Sequence, residues 1–441
     1  MKTNSHIFKT FFKYVSFSVL SMIGLSLYIL ADTFFVANGI GSDGLAALNL
    51  VIPMYSLINA VGLMIGMGAA TRFSILKGGN NEQKGNEVFT QSVIIGIIVG
   101  AIFTVVGLLF SGNIAKLFGA DAETLPFADS YLKTLMSFSI FFISSNILIC
   151  FVRNDKNPNL AMTAMLSGCI ANIFLDYIFI FPCGMGMFGA ALATGFAPLI
   201  GIIISSFHFA KKKNSFKFVK CKFSGEECKK TFSLGTSAFI NEISNGLLVL
   251  VFNFVFLKIA GNIAVAAYGV IANLAIVCVS IFTGIGQGIQ PVISLNYGLG
   301  KAKDIKKYYL LALITATIFG VIFFLTAVFF PDEIIGIFNK ENDLQLTEIA
   351  RNGILIYFSS FLIMGVNIIT TTYFSSIAKP KEAFIISILR GCSLSIILVL
   401  ILPKIFGGIN GVWATVPLTE LLTLFVCLAF VFKFRKISSP K

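Results

Sequence analysis

An all-α membrane protein is predicted, with about twelve transmembrane helices arranged as two pseudo-symmetric six-helix lobes. Three observations carry that reading: an apolar excess beyond what a soluble core uses, basic residues confined to alternate ends of the apolar segments, and motifs of the first half that return in the second. Of the 441 residues, 56% are apolar and 12% charged, 47 are Phe, and the mean hydropathy is +0.90. A soluble domain carries about 25% charged residues. The chain has enough apolar side chains to fill an interior and coat the outside as well, which excludes a cytosolic enzyme, a secreted disulfide scaffold and a disordered chain. The eight cysteines form no CxxC pair, and most lie in apolar stretches where they act as small hydrophobes. With only His6 and His208 in the chain, no His-ligated metal centre is expected.

A helix needs about 20 mainly apolar residues to cross ~30 Å of hydrocarbon. Cutting the chain at its polar breaks leaves spans near 11–38, 45–76, 88–111, 130–152, 159–181, 187–210, 231–257, 263–297, 308–330, 350–378, 383–403 and 409–432. Each is helical by necessity, because lipid offers no partner for bare backbone groups. The first contains Asp32 and lacks a small-residue cleavage site, so it reads as a retained span and not a signal peptide.

Orientation follows from Lys and Arg. The N-terminal tail, the loops 72–87, 153–158, 211–230, 301–307 and 379–390, and the C-terminal tail hold 27 of the 33 basic residues. The alternate ends hold only Lys116, Lys133, Lys258, Lys340, Arg351 and Lys404. This places both termini in the cytoplasm of a multi-pass plasma-membrane protein. The net charge of +13 then faces anionic inner-leaflet lipid, and nucleic acid is not a partner.

The halves repeat. Ala46-Ala47, Gly66-Met67-Gly68, Ser74 and Gly78 return at one constant offset as Ala266-Ala267, Gly286-Gln287-Gly288, Ser294 and Gly298. Phe138-Ser139 returns as Phe358-Ser359 at the same offset, and Pro158 and Gly189 return as Pro380 and Gly411 with the register moved on by two. Six spans per half entering from one side make a parallel repeat about the membrane normal. The expected units are 1–210, a cytoplasmic linker 211–230, and 231–441.

LYILADTFFVANGIG (27–41), RNDKNPNLAM (153–162), GMGMFGAALATG (184–195) and GIGQGIQPVISLNYGLGKAKD (284–304) resemble the prokaryotic branch of the multidrug and toxic compound extrusion (MATE) family. The resemblance covers essentially the whole chain. It implies two six-helix lobes around a central cavity, rocking to export organic compounds while cations run inward.

Acids at membrane depth cost a few kcal/mol each and need a partner or a task. Four of the 20 Asp and Glu lie well inside spans: Asp32, Asp176, Glu242 and Glu420. Asp32 is ~10 Å below the outer end of the first span at 1.5 Å per residue. Asp176 lies at similar depth in the fifth span, Asn172 shares its helix face one turn away, and Thr194 lies at that depth in the sixth. Oxygen ligands suit a hard cation, and two nearby carboxylates need a proton or metal ion between them. Asp32, Asn172, Asp176 and Thr194 are therefore the expected coupling site, with Na⁺ favoured by its all-oxygen character and H⁺ the alternative. MATE proteins bind Na⁺ or H⁺ at matching positions, as the resemblance implies. The competing reading makes Asp32 a hydrogen-bonding group in a kinked helix. The second half lacks these acids, so ion binding is expected in the first alone.

Glu242 and Glu420, near the midplane, are expected to serve cationic substrates or a second proton site; for Glu420 the rival is a structural hydrogen bond to a neighbouring helix. Arg153 and Asp155 are candidates for a cytoplasmic gate, against a solvated loop ion pair. Pro53, Pro198, Pro291 and Pro417 permit kinks within spans. No GxxxxGK[ST] cradle, HExxH, GxGD or Ser/His pairing appears, so an enzyme is not expected. The reading is a secondary active multidrug antiporter exporting organic, often cationic, compounds in exchange for Na⁺ or H⁺ by alternating access. It needs no cofactor beyond the coupling ion, has drugs or toxic organic compounds and membrane lipid as partners, and is expected to be a monomer. The alternative is a lipid-linked saccharide flippase of related architecture, which calls for a strongly cationic cavity.

Overall fold

The structure, a computed structural model, describes residues 2–336 and 343–434, and every regular element among the described residues is helical. Lys340 and the basic residues of the C-terminal tail beyond 434 lie outside the described residues. The first six spans are α1 (Lys2–Gly39), α2 (Ser42–Gly78), α3 (Glu82–Leu117), the pair α4 (Leu125–Ser137) and α5 (Ser139–Asn154), α6 (Pro158–Ile180) and α7 (Gly186–Ala210). After the linker come α8 (Gly225–Gly298), α9 (Ala302–Phe329), the short α10 (Pro331–Gly336), the pair α11 (Leu344–Phe358) and α12 (Phe361–Ser376), then α13 (Pro380–Ile388), α14 (Leu394–Ile405) and α15 (Ile409–Lys433).

Nine of these helical stretches are individually long and apolar enough to span, and the two bent pairs supply two more. The twelfth lies inside α8. Its 74 residues would measure about 110 Å at 1.5 Å per residue, far beyond one bilayer. The helical path breaks at Ala260 and at Gly261, whose φ of 72° favours glycine, so 225–259 and 262–298 are separate spans. The bends within the pairs, 49° and 45°, fall at Phe138 and near Ser359. These are the two copies of the repeated Phe-Ser dipeptide, so the repeat marks an equivalent break in each lobe.

One charge sits elsewhere than expected. Arg390 belongs to a single π-helical turn, Leu389–Ser393, inside the span Pro380–Ile405, and is not part of a loop. The hydroxyls of Ser393 and Ser395 donate to the carbonyls five residues back, Ile388 and Arg390, within this wider turn. The basic bias between the two ends survives the loss of one residue.

Apolar side chains gather into two large clusters. One runs from Val36 to Phe216; the other draws on α8 to α15 and also takes Ile7, Phe11, Tyr14 and Val15 from the start of α1. The lobes meet along glycines at the end of the bundle that bears the linker. A methyl group at Gly235 would sit 1.9 Å from the Met64 carbonyl oxygen, and one at Gly68 would sit 2.0 Å from that of Thr231. On the other side of the seam, a methyl at Gly288 would lie 2.7 Å from Cα of Val15. Gly68 and Gly288, like Val15 and Gly235, are separated by the offset of the internal repeat, so one contact is the pseudo-symmetric image of the other. On the axis itself Gly78 meets its own counterpart: a methyl there would lie 2.9 Å from Cα of Gly298. Gly235→Val is expected to wedge this end open, since the facing atoms are backbone and cannot rotate away. Electron–electron distances between spin labels at Lys84→Cys and Lys303→Cys, on a Cys183→Ser background, should lengthen; unchanged distances would refute the seam.

The linker is not a free tether. Residues 215–219 run extended over the ends of α3, α5 and α7. The backbone amides of Ser215, Lys217 and Val219 donate to Asp155 Oδ2 (2.6 Å), Asn86 Oδ1 (2.9 Å) and Thr90 Oγ1 (3.1 Å), and Gln91 Nε2 donates to the Lys222 carbonyl at 3.0 Å. Phe216, fully buried, fills a box of rings from Phe73, Phe89, Phe151, Phe209 and His208. Beyond it Arg72 grips Glu227 through two bonds of 2.8 and 3.0 Å, fixing the first turn of α8 to α2.

Candidate cation site in the first lobe

Three helices bring oxygen-bearing side chains to one buried point towards the end opposite the linker. Asp32 comes from α1, Asn172 and Asp176 from one face of α6, and Thr194 from α7; all four are buried. The Asp32 and Asp176 carboxyls lie within hydrogen-bonding reach of each other. The amide of Asn172 links the remainder: with its nitrogen turned to the carboxylate it donates to Asp176 Oδ2 at 3.0 Å and accepts from the Thr194 amide at 3.2 Å. The Thr194 hydroxyl donates to the Ala190 carbonyl at 3.1 Å, leaving its lone pairs on the site.

Sequence reasoning passed over Tyr131, which adds a fourth helix. It is buried on α4, close to Thr194 and to both carboxyls. A tyrosine in an apolar span carries no charge to flag it. One turn before Asp32, the Tyr28 hydroxyl bonds that of Tyr55 on α2.

The donor set fits a small hard cation. One oxygen of each carboxyl, Asp32 Oδ1 and Asp176 Oδ1, is buried without a hydrogen-bond partner. Buried acceptors are rarely left unmatched, and carboxylate, amide and hydroxyl oxygens suit Na⁺, while a proton shared by the two carboxyls satisfies the same need.

The other candidates separate. Glu420 is held on two sides: Arg390 Nε donates to Oε1 at 2.6 Å, and Asn367 Nδ2 donates to Oε2 at 2.7 Å and to the Glu420 carbonyl at 2.8 Å. Its carboxylate is thus engaged between three helices of the second lobe. Glu242 makes no hydrogen bond or ion pair among the described residues and is only half-buried. Gly246, one turn on and on the same helix face, approaches Ser56 of α2, where a methyl would lie 3.5 Å from Oγ. That face of α8 therefore looks towards the first lobe.

Arg153 and Asp155 do not pair with each other and neither is solvated; both are buried, against the loop ion pair considered above. Arg153 crosses to the second lobe, where Nη1 donates to Gln287 Oε1 at 2.6 Å. Beside it Asn154 accepts from Ser74 at 2.7 Å and donates to Gln290 Oε1 at 3.0 Å, and Gln290 donates to Thr71 Oγ1 at 2.7 Å. These bonds tie the lobes together at the linker end. Asp155 stays within its own half and the linker, accepting from Lys77 Nζ (2.8 Å), His208 Nε2 (3.0 Å) and Ser215. Burial alone would raise its carboxyl, but the bonds from His208, Lys77 and Ser215 outweigh it and hold the group well below the usual carboxylate range.

Residues 18–178 and 238–401 match the MatE family profile. The chain belongs to the MatE family. The two matched segments begin one in each lobe, at the spacing of the internal repeat. Among MatE relatives, the multidrug export protein MepA of Staphylococcus aureus (strain MSSA476) is 30% identical over 429 residues, covering 95% of this chain and 93% of that protein. MepA of Staphylococcus saprophyticus is 29% identical over 434 residues with the same coverage. A crystal structure of a MATE protein in complex with MaL6 superposes with a TM-score of 0.91 at 21% identity, covering 96% of this chain and 95% of that one. The two-lobed, twelve-helix fold is therefore that of MATE transporters, which are not enzymes.

Proposed function

We propose that this MatE protein is a secondary active antiporter that exports organic, often cationic, compounds in exchange for Na⁺ or H⁺. The observation that carries the reading is the facing pair Asp32 and Asp176, each with a buried oxygen that has no partner. Multidrug export by the MepA relatives supports the substrate class. The units are 1–210 and 231–441 joined by 211–230, and the linker end faces the cytoplasm, a reading supported by the 26 of 33 basic residues that remain assigned to that end once Arg390 is set aside. A lipid-linked saccharide flippase fits less well, because α8 turns towards the first lobe a carboxylate, Glu242, that has no hydrogen-bond or ion-pair partner among the described residues.

The seam supports alternating access. With the linker end closed by glycine packing and by the Arg153–Gln287 and Asn154–Gln290 bonds, substrate leaves towards the opposite side. Glu242, half-buried and facing the first lobe, attracts cationic substrates to the space between the lobes. A cation bound by Asp32, Asn172, Asp176 and Thr194 draws α1 towards α6 and α7. Exchange requires that the ion bind the two states unequally, and α1, which packs with the second lobe at its start and with the first at Val36, is the element placed to respond. Cation entry supplies ~2.3 kcal/mol per charge per 100 mV, enough to drive export without nucleotide hydrolysis.

The test is ethidium efflux from everted or intact cells with Na⁺ and pH gradients imposed separately. One gradient should drive efflux and its collapse should stop it. Efflux indifferent to both would reject the exchanger.

A further inference from the structure

The strap between the lobes carries a surface that transport does not use. Its inward side is fully committed: Phe216 is boxed and the amides of 215, 217 and 219 are bonded to the first lobe. Outward it presents Lys217, Lys220 and Lys222, all exposed, interleaved with Phe218 and Phe223, which are 62% and 70% exposed. Two large aromatic rings held in the open by a pinned backbone need a covering, and exposed apolar groups in a basic setting point to an anionic amphiphile.

Depth identifies which one. α3 has 36 residues, about 54 Å at 1.5 Å per residue, so it projects well beyond ~30 Å of hydrocarbon. The strap crosses α3 at Asn86, Thr90 and Gln91, within its first three turns, and the exposed apolar face of α3 begins directly afterwards at Ile94, Ile97 and Ile98. The strap therefore lies at headgroup level, beside lipid-facing surface.

We propose that 217–223 is a binding site for anionic phospholipid in the leaflet at the linker end. Lys217, Lys220 and Lys222 contact the phosphate, and Phe218 and Phe223 enter the acyl boundary. Because the strap is bonded to the first lobe and runs directly into α8, bound lipid holds the joint between the lobes at the membrane surface. The site does not depend on the transport reading, and its test does not measure transport.

The test is fluorescence of a Phe218→Trp variant in vesicles containing brominated lipid. Trp413, the one native tryptophan, is buried near the start of α15 at the opposite end, so the unsubstituted protein supplies the blank. Brominated phosphatidylglycerol should quench the F218W signal at lower mole fraction than brominated phosphatidylcholine. That preference should weaken about fivefold for each of K220Q and K222Q, and also weaken with added salt. Equal quenching by the two lipids would overturn the headgroup site. A signal that neither lipid quenches would place the strap away from the membrane, covered by something else, and would equally overturn it.

Discussion

Asp32→Asn and Asp176→Asn are each expected to abolish cation-driven efflux while the protein still inserts and folds. Each change keeps the side-chain volume and removes the charge that a cation or shared proton needs. The loss should exceed the about 10- to 100-fold that follows removal of a merely supporting partner at an ion site. Tyr131→Phe and Thr194→Val, which remove only a hydroxyl, should fall within that smaller range. Efflux of ethidium under the driving gradient, normalised to protein in the membrane, measures the series. Full transport by either Asn variant would mean that the carboxyl pair serves structure and that coupling resides elsewhere.

Arg390→Leu is expected to destabilise the second lobe by about 3–5 kcal/mol, the cost of stranding one charge of a buried pair. It leaves the Glu420 carboxylate, 2.6 Å from Arg390 Nε, with only Asn367. The double variant Arg390→Leu/Glu420→Leu should recover most of that loss, because two apolar groups leave no charge unsolvated. Thermal unfolding in detergent, followed by helix circular dichroism, reads both. A double variant as unstable as the single one would show that Glu420 matters for more than its pairing.

The architecture was legible because lipid makes composition speak plainly. The polar breaks located all twelve spans, although helices run past several of the expected ends, α1 by nine residues at its start and α3 by six at each end, and even the join hidden in α8 is marked by Lys258 and Gly261 between two apolar runs. Asp32 and Asp176 stand out by depth, since an acid in hydrocarbon is rare enough to draw attention, Asn172 by its shared helix face and Thr194 by its matching depth, with the family resemblance in support; the structure places the four in one cluster. Tyr131 was missed because aromatic residues in spans usually pack. Arg390 falls within both the expected loop 379–390 and the expected span 383–403, and the basic stretch before it favours the loop. Its partner Glu420 lies 30 residues away on another helix, a distance across which sequence carries no pairing signal. The crossing from Arg153 to Gln287 was invisible for the same reason. The sequence marks 211–230 only as a basic cytoplasmic linker, and the ring box around Phe216 reveals it as docked.

α1 is clamped by different bodies at its middle and towards its far end. Val15 and Val19 are wedged against Gly288 and Gly284 of the second lobe, whereas Asp32, a dozen or so residues further on, faces α6 of the first. No proline interrupts the stretch. Such a rod has no slack in register: one extra residue between Val19 and Asp32 would swing the carboxylate by about 100° around the axis and out of reach of Asp176. The spacing between gasket and ligand is therefore a mechanical dimension of the machine, and lengthening or shortening this helix would uncouple its two jobs even if every side chain named above were left in place.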